Sequence, residues 1–273
     1  MKHLDVNYIA ILKEIAGEVY SAVNSLLGTS ESKQVLGKGF GGDQTLLVDD
    51  VAEKAIIRYL KRQRIACTFI GEERGVQRLG NKSGFFLVAD AVDGSTNATR
   101  GINFVSTSLA TALTDDLGRI EAALVMNLCD GETFEAEKGK GARSNGKEIR
   151  TSDVVSLGEA VLGIDVSRSP DSVEPTIPFM QKAKSIRSFG SAALEICHVA
   201  SGRLDAYVDL RGMLRTLDFA AAMLIVEEAG GIFVQHDGKR FNGYRLSELS
   251  RFSVLAAANE NIYREIASNI LHK

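Results

Sequence analysis

The sequence predicts an α/β protein in which a half built of helices on a largely antiparallel sheet packs on an alternating α/β half. Three observations predict it. The apolar run Phe85-Phe86-Leu87-Val88-Ala89 has strand length and no polar alternation, the mark of a strand buried on both faces. Around it, residues up to about 150 read as helix and then as short strands joined by turns such as Asn145-Gly146. From Thr151 onward strands and helices alternate. The expected division is 1–150 and 151–273, with no flexible linker between.

In order along the chain, residues 4–27 carry Leu4, Ile9, Leu12, Ile15, Ala16, Val19, Val23 and Leu26 at helical spacing, and Gly28 stops them. Residues 31–45 hold four glycines and two lysines. They read as a surface loop or hairpin or, because a helix over 49–62 follows, as a flap over a site. Residues 66–70 form a short strand ending in Gly71-Glu72-Glu73. After the central strand, 104–114 and 120–126 pair around Asp115-Asp116-Leu117-Gly118, and 132–137 and the segment at Ala142 add short strands. In the second half, 161–166, 186–189, 205–210 and the segments near Ile232 and Val254 read as strands, and 170–178 as a connection. Gly190-Ser191-Ala192-Ala193 opens a helix that Gly202 stops. Asp218 opens an apolar helix over 219–229, closed by Gly230-Gly231, and a last helix starts near Glu260.

Composition narrows the function classes. Hydrophobic content of 45%, charged content of 25% and a net charge of -3 over 273 residues suit a globular enzyme-sized chain without a nucleic-acid footprint. Cys67, Cys129 and Cys197 are odd in number and sit among apolar neighbours, so reduced thiols are expected. Residues 1–5 lack a signal peptide's apolar core and no run approaches membrane-spanning length. The expectation is a cytoplasmic protein with no membrane and no nucleic-acid partner. His3, His198, His236 and His272 have no suggestive neighbours and read as structural.

The chemistry concentrates after residue 89, in Asp90-Ala91-Val92-Asp93-Gly94-Ser95-Thr96-Asn97. A buried strand delivers two carboxylates into a turn, where Gly94 permits close backbone approach and the amides after it face an anion if a helix starts there. Carboxylates this close repel unless a hard cation with oxygen ligands neutralises them. An Asx-turn with a helix cap is the plainer alternative for any one of them. Asp43 in the glycine-rich loop, Glu72 and Glu73 at a strand end, and Asp218 at a helix start extend the set. Their separate plain readings are loop solvation, surface charge and N-capping. Without a histidine cluster, the whole set describes a Mg²⁺ site rather than zinc or a nucleophile–histidine system.

Gly71-Glu72-Glu73, the run from Asp90 to Asn97, Leu217-Asp218-Phe219-Ala220-Ala221 and Glu228-Ala229-Gly230-Gly231 together resemble the inositol monophosphatase family, in family order. Arg187-Ser188-Phe189-Gly190-Ser191-Ala192-Ala193 is similar to that family's substrate-side loop. The resemblance implies a layered sugar-phosphatase sandwich, with the main metal site in 1–150, and the substrate-side loop and Asp218 in 151–273. It implies two or three Mg²⁺ and in-line attack by a metal-activated water on a small sugar or polyol phosphate. It assigns Glu73, Asp90, the Val92 carbonyl and Ser95 to a first metal; Asp90, Asp93 and Asp218 to a second; and Asp43 with Glu73 to a third. Asp43 and Ser95 would form the dyad that deprotonates water. Asp93 and the Gly94 and Ser95 amides would meet the substrate's phosphate side, and Gly190, Ser191 and Ala192 its alcohol. A homodimer is also implied.

Leu217 stands where the family has tryptophan, and this chain has no tryptophan. The Gly37–Asp43 stretch and the segment 208–215 are more similar to archaeal members that accept inositol 1-phosphate and fructose 1,6-bisphosphate. Arg211 and Arg215 would then bind a second phosphate, or else are surface or structural arginines. Two alternatives stay open: a 3′-phosphoadenosine 5′-phosphate nucleotidase, and a non-catalytic metal- or phosphate-binding homologue.

Overall fold

Leu12, Ile15, Ala16, Val19 and Val23 form one buried stripe of helix α1 (Tyr8–Val23), as their spacing requires. The computed structural model describes residues 6–81 and 84–271, so Leu4, His3 and His272 lie outside the described residues. The helix ends at Val23, short of the expected Leu27. The left-handed Gly28 instead turns its amide onto the Ala98 carbonyl at 2.7 Å.

The glycine-rich stretch is a hairpin, β1 (Val35–Lys38) with β2 (Gln44–Leu46), leading straight into α2 (Leu47–Arg62). Next come β3 (Cys67–Gly71), β4 (Gly75–Leu79), β5 (Phe86–Asp93) and the short helix α3 (Ser95–Arg100). An antiparallel run completes the first sheet: β6 (Ser106–Ala112), β7 (Ile120–Asn127), β8 (Thr133–Glu137), β9 (Ala142–Ser144) and β10 (Lys147–Ile149). The eight strands lie in the order β10-β9-β8-β7-β6-β5-β3-β4, with only β3 and β5 parallel.

The second half contains β11 (Val161–Asp165), α4 (Val173–Met180), β12 (Ser185–Arg187), α5 (Ala192–Ala200) and β13 (Ala206–Arg215). It closes with α6 (Thr216–Glu228), β14 (Ile232–Gln235), β15 (Arg251–Ala257) and α7 (Glu260–Leu271). Its five strands lie in the order β12-β11-β13-β15-β14; β11 is parallel to both neighbours, and β15 is antiparallel to its own.

Three apolar clusters stack these elements into five layers. Leu87, Ala89 and Leu109 turn one face of the large sheet toward α1 and α2. Val88, Ala110 and Val125 turn the other face toward α5 and α6, which also pack on Tyr207, Phe233, Val254 and Ala256 of the small sheet. Leu162, Val208 and Leu255 meet Phe179 of α4 and Ile262 and Ile266 of α7. Helix α6 therefore lies between two sheets, and residues from Thr216 to Val226 are buried all round it. That is why its sequence lacks an amphipathic stripe.

Three elements differ from the sequence-based expectation. The connection at 170–178 contains α4, because burial of Thr176 and Phe179 outweighs the helix-breaking Pro178. Strand β4 was not expected. Strand β13 continues past Leu210 to Arg215, with a register shift against β15 between Asp209 and Leu214 that the left-handed Gly212 accommodates.

Candidate active site

The parallel pair β3–β5 builds the floor of the site. Its register places Gly71 opposite Ala89, so the residue after each, Glu72 and Asp90, emerges at the same sheet edge. Between Asp90 and Asp93 the pairing with β6 shifts, and the distorted strand end turns Asp93 out as well. Gly94 follows at φ 95; a Cβ there would stand 3.1 Å from the Gly190 carbonyl and 3.2 Å from that of Phe104. Only glycine fits this junction. Helix α6, held between the sheets, brings Asp218 to the same edge, its Oδ2 accepting the Arg215 amide at 2.8 Å.

Carboxylate oxygens of Glu72, Asp90 and Asp218 all lie within 4.8 Å of one another, and the three residues line a cleft of about 500 Å³. Asp93 is beside them. Its Oδ2 accepts the Ser191 hydroxyl at 2.6 Å and the Ala193 amide at 2.8 Å, so α5 of the second half holds an acid of the first.

Burial drives the Asp90 carboxyl well above the usual carboxylate range, and the neighbouring Glu72, Asp93 and Asp218 charges add to it. Burial raises Asp93 to about 6 against the opposing bonds from Ser191 and Ala193. Burial also raises Glu72, against the nearby Arg215. For Arg215, burial would favour the neutral form, but Asp218 and Glu72 outweigh it and hold the guanidinium charged. The cup carries more negative charge than one arginine offsets. Its donors are carboxylates, joined by the Val92 carbonyl and the Ser95 hydroxyl that line the cleft. An all-oxygen set fits a hard divalent cation.

Several expected residues lie elsewhere. Asp43 sits on the hairpin tip, its side chain 56% exposed and 3.6 Å from Arg215, and it does not meet Ser95. Asp49 does: the Ser95 hydroxyl donates to Asp49 Oδ1 at 2.9 Å, and Asp49 Oδ2 accepts the Leu46 amide at 3.1 Å. Burial raises Asp49 to about 7, despite those two bonds. Glu73 accepts the Thr45 hydroxyl and stands outside the three-carboxylate cluster, to which Glu72 belongs. Both residues lie in the turn between β3 and β4, and of the two it is Glu72 whose carboxylate comes within 4.8 Å of those of Asp90 and Asp218.

Gly190 and Ala192 line the cleft, whereas Ser191 is fully buried and engaged with Asp93 and Ser106. The Arg211 guanidinium is already neutralised, bonded to both Asp209 oxygens and 2.7 Å from Asp165, and is not a free phosphate ligand. Arg168, in the left-handed region at φ 62, lines the same cleft and makes no ion pair among the described residues. His198 packs edge-on against Phe104, and burial lowers it to about 4, so it is neutral and structural. Cys67, Cys129 and Cys197 are free thiols.

Sequence reasoning missed Asp49. Its neighbour Asp50 is ion-paired with Arg74 and Lys54, and Asp49 resembles it in sequence. The available signal was its place on the buried face of α2, in line with Ala52, Glu53 and Ile56.

Comparison with known proteins bears on this arrangement. Residues 5–271 match the sequence model described as the inositol monophosphatase family. The chain is 34% identical to the fructose-1,6-bisphosphatase/inositol-1-monophosphatase of Methanothermobacter thermautotrophicus, over 99% of both chains. It is 32% identical to a bifunctional NADP phosphatase/NAD kinase of Methanococcus maripaludis, over 92% of this chain and 47% of that protein. The crystal structure of an inositol monophosphatase–fructose 1,6-bisphosphatase superposes with a TM-score of 0.83 at 28% identity, covering 97% of this chain and all of the other.

Proposed function

The chain belongs to the inositol monophosphatase family and is a phosphatase of the inositol monophosphatase/fructose-1,6-bisphosphatase type, and from that premise we propose that it hydrolyses monoesters of small sugar or polyol phosphates with Mg²⁺. The observation that carries the reading is the convergence of Glu72, Asp90 and Asp218 within 4.8 Å in the wall of the cleft. These three, with Asp93, the Val92 carbonyl and Ser95, would hold the cation or cations. Bound there, Mg²⁺ would supply charge neutralisation on phosphate oxygens, acidity to a water and stabilisation of the departing alkoxide.

The chain's own groups account for the proton. The Ser95 hydroxyl has one hydrogen, given to Asp49 Oδ1 at 2.9 Å or to the Val92 carbonyl at 3.2 Å. Its lone pairs can accept the proton of an attacking water while its own proton passes to Asp49. Asp49, raised to about 7, is suited to take it near neutral pH. Gly94, unable to carry a side chain, lets phosphate approach the Gly94 and Ser95 amides. Asp165 and Arg168 also line the cleft, where hydroxyls and a second anionic group of the substrate would lie. This supports inositol 1-phosphate and fructose 1,6-bisphosphate as substrates.

A second reading, a nucleotide phosphate monoester, is favoured by the likeness to the NADP phosphatase/NAD kinase. The homodimer and the cytoplasmic location are part of the proposal on family grounds; among the described residues, no helix is long and apolar enough to cross a membrane.

The test is phosphate release from inositol 1-phosphate, fructose 1,6-bisphosphate, NADP⁺ and 3′-phosphoadenosine 5′-phosphate, each with Mg²⁺ and with EDTA. We expect release from the first two, abolished by EDTA. Release only from the nucleotides would replace the sugar reading. Release unaffected by EDTA would remove the cation from it.

A further inference from the structure

Arg215 touches both the acidic cup and the hairpin beside it. Its Nη1 donates to Glu72 Oε1 at 2.5 Å, and its Nη2 and Nε donate to Asp218 Oδ1 at 3.0 and 3.2 Å. Two of the three clustered acids are thus engaged by one guanidinium, whose side chain is 11% exposed. The hairpin tip presses on the same group. Asp43 lies 3.6 Å from Nη1, and a Cβ on Gly41 would stand 2.6 Å from it. The Phe40 and Gly41 amides donate to the Glu73 and Glu72 carbonyls at 3.1 and 2.9 Å, and the Phe40 ring covers Gly75. Hairpin, cup and the start of α6 meet on this side chain.

A guanidinium offers five donors in a fixed plane and stays charged when buried. A divalent cation needs the same oxygens of Glu72 and Asp218. Both cannot hold all of them, because the cation would face a like charge at contact distance.

We propose that Arg215 is a built-in counter-cation: it holds the cup and the hairpin together in the cation-free chain and competes with the entering divalent ion for Glu72 and Asp218. The inference rests on the cation reading of the cup. It makes Arg215 a positioning residue that sets the threshold concentration for loading, and it ties the position of the hairpin to that loading. The opposite expectation, that Arg215 orients the acids for the cation, gives the opposite sign on removal.

The experiment measures Mg²⁺ binding by titration calorimetry and thermal stability with and without Mg²⁺, for wild type, Arg215→Gln and Arg215→Lys. Trypsin cleavage after Lys38 in the hairpin is followed in parallel. Charge-assisted bonds to a carboxylate are each worth about a factor of ten or more, so Arg215→Gln should bind Mg²⁺ at least about ten-fold more tightly. The cation-free variant should melt lower than wild type and be cut faster at Lys38, and saturating Mg²⁺ should close the difference in melting temperature. Arg215→Lys keeps the charge without the planar fork and should fall between the two in affinity. If Arg215→Gln does not fold without cation, recovery on adding Mg²⁺, with tighter binding by Arg215→Lys, is the supporting result. Binding by either variant that is equal to or weaker than wild type overturns the proposal. Absence of Mg²⁺ binding by every form, wild type included, overturns the cation reading along with it.

Discussion

Asp49 and Asp50 are sequence neighbours in the first turn of α2 with different partners. Asp50 pairs with Lys54 and Arg74, which draws its carboxyl below the usual range against a burial effect of opposite sign. Asp49 is buried, faces Ser95 and is raised to about 7. If Asp49 receives the water's proton, Asp49→Asn should lower kcat by about 10²–10⁴ while leaving the melting temperature and Mg²⁺ affinity near wild type. Phosphate-release kinetics with calorimetric Mg²⁺ titration check this; a kcat within a few-fold of wild type would remove Asp49 from the mechanism.

Glu195 gives a pH prediction of its own. Burial raises it to about 7, with the Phe189 and Gly190 amides opposing and the Asp165 and Asp93 charges adding, while its Oε2 has no partner. The folded carboxyl holds its proton more tightly than the unfolded one. Its contribution to stability is therefore full below pH 4.5 and is lost as pH rises through about 7. Glu195→Gln should remove that part of the slope, leaving the variant relatively more stable at pH 8 than at pH 5, read from denaturation midpoints at both. An unchanged slope would show that other groups carry it.

At this scale the sequence was readable where chemistry is dense and unreadable where a choice depended on register. The carboxylates Asp90 and Asp93 announce themselves at the end of an apolar run. Between Glu72 and Glu73 nothing in composition decides. The pairing of Gly71 with Ala89 does, and pairing is a long-range fact. Asp43, in a glycine-rich loop, looked more like a ligand than Asp49, in an ordinary helix.

Elements were legible where periodicity matched burial. Strand β5 and helix α1 followed their apolar patterns. Helix α4 did not, because its two prolines outweighed, on local propensity, a burial of Phe179 that α7 and the small sheet help to provide. Helix α6 was legible as apolar but not as a central layer, since an all-round apolar pattern specifies burial without naming the neighbours. Phe219 of α6 stacks on Phe233 at 5.4 Å and touches Phe241 and Phe252. Phe219→Ala should cost about 3–5 kcal/mol of unfolding free energy, measured by denaturant titration. A loss below about 1 kcal/mol would mean that the layer repacks around the gap.

For the whole molecule, five layers share one central pair of helices, so the two sheets are expected to unfold together. Scanning calorimetry of Phe219→Ala should show a single transition moved to lower temperature. Two separated transitions, with only one displaced, would mean that the halves are independent despite α5 and α6. The sequence boundary near residue 150 separates the strands of the two sheets, but it does not reveal that α5 and α6 form the layer between them.

The acids of the cup come from distant points in the chain: Glu72 and Asp90 early, Asp218 only at the start of α6. During synthesis, a nascent chain that has released all of the large sheet still lacks the carboxylate that closes the cluster and the helix α5 that steadies Asp93. Phosphatase capability thus arrives late in translation, after most of the protein has left the ribosome. Prematurely terminated products would be inert toward the cell's phosphate esters.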